Sequence, residues 1–207
     1  MKIHHLQIIN HLKILGDSQI FKMTENIILA NESEKDDTIK WDEIRKDIEN
    51  IYTIWPTISL DLTSVGINNM NIGEFDNLLD NLASNVKNKD KELTLINLSS
   101  LYGLMPKYVE VYLDDDLTKK ITITKSFIVN AYVFASLEKW DEAYKNINLA
   151  DETFLWILQN KNYYKNNELN INRANILISN LKNSINKYDK QIFYLNYKNL
   201  LQEISII

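Results

Sequence analysis

The tetrapeptide Lys40-Trp41-Asp42-Glu43 returns 99 positions later as Lys139-Trp140-Asp141-Glu142, and the correspondence continues beyond it. Lys46 and Ile48 match Lys145 and Ile147. Asn71-Ile72 recurs as Asn170-Ile171, Leu78 as Leu177, and Asn81-Leu82 as Asn180-Leu181. Asp90-Lys91 recurs as Asp189-Lys190, Asn97 as Asn196 and Leu101 as Leu200, all at one offset without a gap. These identities fall at helix starts and apolar positions, which a biased composition alone would not select. The expectation is a chain built from two copies of one unit. Solenoid units repeat every 20–50 residues or so, so a period this long implies a unit of several helices. The expected fold is all-α, with two tandem helical bundles of period 99 packed side by side through apolar helix faces. The domains are then 1–110, an N-terminal segment plus the first repeat, and 111–207, the second repeat.

Helices are expected because the apolar residues step by three and four. Trp41, Ile44, Ile48, Ile51 and Trp55 form one stripe, with Asp36 and Asp37 as N-cap candidates and Pro56 as the stop. Ile72, Phe75, Leu79, Leu82 and Val86 repeat that spacing. Asp90 is placed to cap a helix through Leu93, Ile96, Leu101 and Met105, and Pro106 marks a break or kink. Asp114-Asp115-Asp116 precedes a segment from 117 to 137, where acidic residues complement the helix dipole. Within it, Ile121-Thr122-Ile123-Thr124 has the local character of a strand. Further helices are expected at about 140–158, 169–186 and 189–204. The whole chain has only 4 Gly and 2 Pro, too few for a turn-rich β fold. Trp41 and Trp140 are expected to be buried and equivalent. Trp55 aligns with Phe154, which leaves Trp156 on another side of its helix.

The same residues exclude several kinds of chemistry. A net charge of −5 without a basic run gives no face for nucleic acid. There is no cysteine, so thiolate metal sites, thiol nucleophiles and disulfides are all absent. No apolar run reaches the roughly 18 residues of a membrane span. The first fifteen residues, interrupted by His4, His5 and His11, are not a signal peptide as they stand. The chain is therefore expected to be cytoplasmic, or to follow a leader that has been removed. The three histidines have no carboxylate near them before Asp17, and the Asp114–Asp116 triplet lacks the ligand spacing of a calcium loop. No paired Glu-x-x-His, glycine-rich phosphate loop or serine nucleophile motif occurs. No catalytic, cofactor-binding or metal-binding residue is expected. The aromatic load, 4 Trp and 11 Tyr, is the remaining signal. Trp156, Tyr163, Tyr164 and Tyr188, all in the second repeat, are the candidates for a contact surface.

The duplicated pattern of a tryptophan-led helix (Trp41…Trp55-Pro56), the helix Ile72 to Val86, the Lys89-Asp90 turn and the Leu101-Tyr102…Met105-Pro106 ending resembles helical lipoproteins of clostridia and related bacteria. The resemblance covers about residues 38–205. It implies extracytoplasmic placement through a lipid-attachment cysteine, which this chain does not contain, and it brings no catalytic residues. The functional expectation is a non-enzymatic helical protein that binds or scaffolds a protein or envelope ligand. The alternative expectation is a cytoplasmic protein–protein adaptor.

Overall fold

A computed structural model of the chain describes residues 2–32, 39–112, 115–160 and 165–207, and among these there is helix but no strand. The chain divides into two compact units, Met1–Asp114 and Asp115–Ile207.

The first unit opens with a continuous helical rod: α1 (Lys2–Lys13), a π-helical stretch (Ile14–Phe21) and α2 (Lys22–Glu32). Lys13 and Lys22, which flank the π-helical stretch, both keep right-handed helical dihedrals, so the rod does not break. Then follow α3 (Trp41–Ser64), α4 (Asn69–Lys87), α5 (Lys91–Gly103) and the short α6 (Met105–Tyr112). The rod packs on α3, α3 on α4, α4 on α5, and α5 returns to the rod. That closed ring of four neighbours is a four-helix bundle. Its core is aliphatic and aromatic: Leu15, Ile20 and Met23 of the rod, Ile51, Trp55 and Leu62 of α3, Phe75 and Leu79 of α4 and Leu98 of α5 are all buried. Asp36 and Asp37, proposed above as caps, lie outside the described residues. The N-cap of α3 is Lys40, whose side chain makes no capping bond.

Pro56 does not end α3. The helix continues to Ser64, with Ile58 and Leu62 buried on the same stripe as Ile48 and Trp55. A proline inside a helix costs about 3 kcal/mol, and burying two aliphatic side chains gains roughly 3–6 kcal/mol, so the stripe wins. Pro56 itself is exposed. The true stop is Gly66, with φ of 95°, beyond which the Ile67 amide donates to the Leu62 carbonyl at 3.1 Å. That left-handed position suits glycine, which has no Cβ to clash.

On α5 the buried stripe is Leu95, Leu98, Leu101 and Tyr102, while Leu93 is exposed and Ile96 only half-buried. This corrects the stripe expected through Leu93 and Ile96. The Asp90 cap sets the helix start as expected, but it leaves Leu93 in the first turn, on the wet side.

Among the described residues the second unit holds α7 (Asp116–Ser136), α8 (Trp140–Gln159), α9 (Glu168–Asn186) and α10 (Lys190–Ile206), with a 3₁₀ turn, Lys165–Asn167, before α9. α7 packs on α8, α8 on α9, α9 on α10, and α10 returns to α7, again a closed four-helix ring. Asp115 caps α7 by accepting from the Leu117 and Thr118 amides, a structural use of the acidic triplet; Asp114 lies outside the described residues. Residues 121–124 are helical despite their strand propensity. Thr122 and Thr124 donate their hydroxyls to the Thr118 and Lys120 carbonyls, so each satisfies its polar group within the helix.

Helices at matching positions of the two units start in step. α3, α4 and α5 begin at 41, 69 and 91, and α8, α9 and α10 at 140, 168 and 190. Lys89 and Tyr188 both adopt left-handed dihedrals, with φ of 56° and 54°. The caps that follow are alike: Asp90 accepts from the Leu93 amide and Asp189 from the Ile192 amide, each at 2.9 Å. Replacing either aspartate by alanine should cost about 1 kcal/mol in denaturant melts, the usual worth of an N-cap. A cost near zero for both would mean that packing, not the cap, sets these helix starts.

Trp41 and Trp140 are half-buried, not buried as expected. Each is the first residue of its helix, and a helical Cβ points back toward the N-terminus, so the ring covers the end of the bundle instead of entering it. The buried tryptophan is Trp55, and Phe154 occupies the corresponding place in the second unit at 1% exposure.

A polar tie joins α3 to α4. The Tyr52 hydroxyl donates to Asp80 Oδ1 at 2.6 Å. Desolvation, with the neighbouring Asp80 carboxylate, raises Tyr52 from 10.0 to about 12. Because the folded state favours the neutral phenol, this tie is complete below pH 10 and is lost as pH climbs to about 12. The denaturation midpoint should therefore fall more steeply between those values in the native chain than in Tyr52→Phe. Parallel curves would show that the tie contributes nothing.

Candidate functional site

The second unit carries the residues singled out for contact, but not as one patch. Tyr188 occupies the left-handed turn before α10 and is 67% exposed. Its ring meets Trp140 edge-on, with centroids 5.8 Å apart and planes at 78°, and Trp140 in turn meets Phe193. Tyr188 thus stands beside the start of α8. Trp156 is sixteen residues further along that helix, or about 24 Å at 1.5 Å per residue, and is half-buried. Tyr163 and Tyr164 lie outside the described residues. Trp156 and Tyr188 therefore belong to opposite ends of the bundle.

A bulky residue in the left-handed region is strained, and Tyr188 holds that place where the first unit has Lys89. Lys89→Gly should stabilise the chain by about 1 kcal/mol, because glycine adopts that conformation without penalty. Tyr188→Gly should stabilise it less, since the Trp140 contact is lost along with the strain. Equal gains in thermal melts would show that the ring contributes nothing to Trp140.

Composition alone did not point to the apolar outer surface of α9 and α10. Leu169 and Ile176, two turns apart on α9, are 61% and 59% exposed. On α10, Leu195 and Ile206 are 63% and 64% exposed. The buried residues of these helices, Ile171, Ile178 and Leu181 on α9 and Phe193, Tyr197 and Leu200 on α10, occupy the opposite faces. Asn167 Nδ2 donates to the Ile207 carbonyl at 2.7 Å, which ties the start of α9 to the end of α10. The sequence did hold a signal for this: apolar residues on the wet side of an otherwise complete helical stripe. In the core of this bundle the buried Tyr132 stacks on the buried Tyr197 at 3.9 Å and meets the half-buried Tyr194 edge-on.

Among the described residues, no three His, Asp or Glu side chains come together to hold a metal ion, and no helix is long and apolar enough to cross a membrane. His11 lies on α1 of the first unit; the side chains of His4 and His5 lie outside those described. Comparison with known proteins returns no matching protein family, no similar curated protein and no similar solved structure.

Proposed function

We propose that this chain is a non-enzymatic helical binding or scaffold protein of the cell envelope, made of two copies of one four-helix unit. The outer surface of α9 and α10 forms its contact face. The observation that carries this reading is the group Leu169, Ile176, Leu195 and Ile206, each about 60% exposed on the second bundle. Single exposed apolar residues are ordinary, but four on the outward faces of two helices packed on each other suit a partner. The duplication is supported by helix starts, left-handed turns and aspartate caps that share one spacing. The envelope placement rests on the resemblance to helical lipoproteins, and the partner is a protein or an envelope ligand.

The test is to express the protein from its own chromosomal reading frame, fractionate the cells, and compare it with an Ile176→Lys, Leu195→Lys variant. The native chain should appear in the envelope fraction within a larger complex. The variant, with both changes on solvent-facing positions, should fold and leave that complex. Recovery of the native chain in the cytosol would replace the envelope reading with the cytoplasmic adaptor. An unchanged complex in the variant would remove α9 and α10 as the contact face.

A further inference from the structure

The outer surface of α9 and α10 is sided in charge as well as in polarity. From Glu168 to Ile206 the exposed charged residues are Arg173, Lys187 and Lys198, all basic. The carboxylates of that stretch, Glu168, Asp189 and Glu203, are half-buried. Asp189 caps α10, and Glu203 pairs with Arg173 at 3.7 Å. α8, which stands diagonally across the four-helix ring from α10, is the reverse: it exposes Asp141, Glu142 and Glu152 against Lys145. In a chain of net charge −5, α9 and α10 therefore turn a basic face, without an exposed carboxylate, toward whatever they meet.

The apolar side chains of this face are spread out. Leu169 and Ile176 stand two turns apart on α9, and Ile192, Leu195 and Ile206 extend along α10. Exposed amides stand among them, Asn180 and Asn183 on α9 and Asn199 and Gln202 on α10. A protein partner draws most of its affinity from a clustered, desolvated centre. Separate apolar side chains can instead each enter the boundary between lipid headgroups and acyl chains, which demands no matching shape. A second copy meeting this face with its own would set cations against cations. An anionic bilayer suits both features, since it takes up apolar side chains and favours each nearby Lys or Arg by about fivefold in affinity.

We infer that the partner of the contact face proposed above, on which this inference rests, is a membrane surface bearing anionic headgroups. The second bundle lies on it with α9 and α10 down and α8 away. The test mixes the intact chain with vesicles of phosphatidylcholine, alone or with about 30% phosphatidylglycerol, and reads the bound fraction by co-sedimentation. Binding to the anionic vesicles is expected, at least about fivefold weaker without the anionic lipid and falling as salt rises. Lys198→Glu and Leu195→Asn, both at exposed positions, should each weaken it by at least about fivefold. The chain has no cysteine, so a single introduced one carries an environment-sensitive dye at a known place. Its emission should move to the blue at Leu195→Cys and stay unchanged at Glu152→Cys on α8. Absence of vesicle binding, or equal dye shifts at the two positions, would overturn the inference. A protein crosslinked in the cell from Ile176 and Leu195, without vesicle binding, would overturn the lipid surface and leave the contact face standing.

Discussion

Replacing Trp55 by alanine should destabilise the first bundle by about 3–5 kcal/mol, the usual cost of removing a large buried aromatic. The ring is 4% exposed, stacks on Phe75 with centroids 3.7 Å apart, and lies near Tyr108 at 6.0 Å. Its Nε1 donates to Asp76 Oδ1 at 2.6 Å, so the side chain is anchored at both its apolar and its polar end. Trp55→Phe separates the two contributions. It keeps most of the stacking and loses one hydrogen bond to a partly hydrated carboxylate, which should cost about 1–2 kcal/mol. The half-buried Trp41 should tolerate alanine better than Trp55 does. Denaturant melts decide the order. A Trp55→Ala cost below that of Trp41→Ala would mean that the core of α3 is misplaced.

Phe154→Ala should have an effect of the same size, about 3–5 kcal/mol, in the second bundle. Phe154 is 1% exposed and lies on the α8 stripe with Ile147, Ala150 and Ile157. Unlike Trp55 it has no polar anchor, and the residue aligned with Asp76 is Asn175. The two units therefore share a core position but not the hydrogen bond attached to it. A small loss at Phe154 together with a large one at Trp55 would argue that the shared spacing does not reflect a shared core.

Where helix signals were local, they were legible in the residues. Asp90, Asp115 and Asp189 each have the short acceptor an N-cap requires. The apolar steps of α3, α4 and α8 mark their buried faces without knowledge of the partner helix. What escaped notice depends on tertiary packing. Pro56 looked like a stop because propensity is a local quantity, whereas Ile58 and Leu62 gain their burial from other helices. Trp41 looked like core because its spacing fits the stripe, although its place at the helix end turns the ring outward.

The candidate sites follow the same division. Tyr188, a contact-surface candidate from the sequence, is exposed because it sits at the turn before α10. Leu169, Ile176, Leu195 and Ile206 carry a weaker signal, apolar residues on the wet side of a helical stripe, which can be read only after the buried faces of α9 and α10 have been drawn.

The proposed contact element is the second bundle, and site-specific photocrosslinking in the native cell tests this most directly. A benzophenone side chain would be placed at Ile176 or Leu195, and at Leu60 or Met70 of the first bundle, which are 71% and 76% exposed. Exposure is at least as great at the control positions, so only a partner can favour the others. One recurrent crosslinked species is expected from Ile176 and Leu195 and none from Leu60 or Met70. Equal labelling at all four positions, or labelling confined to the first bundle, would contradict it.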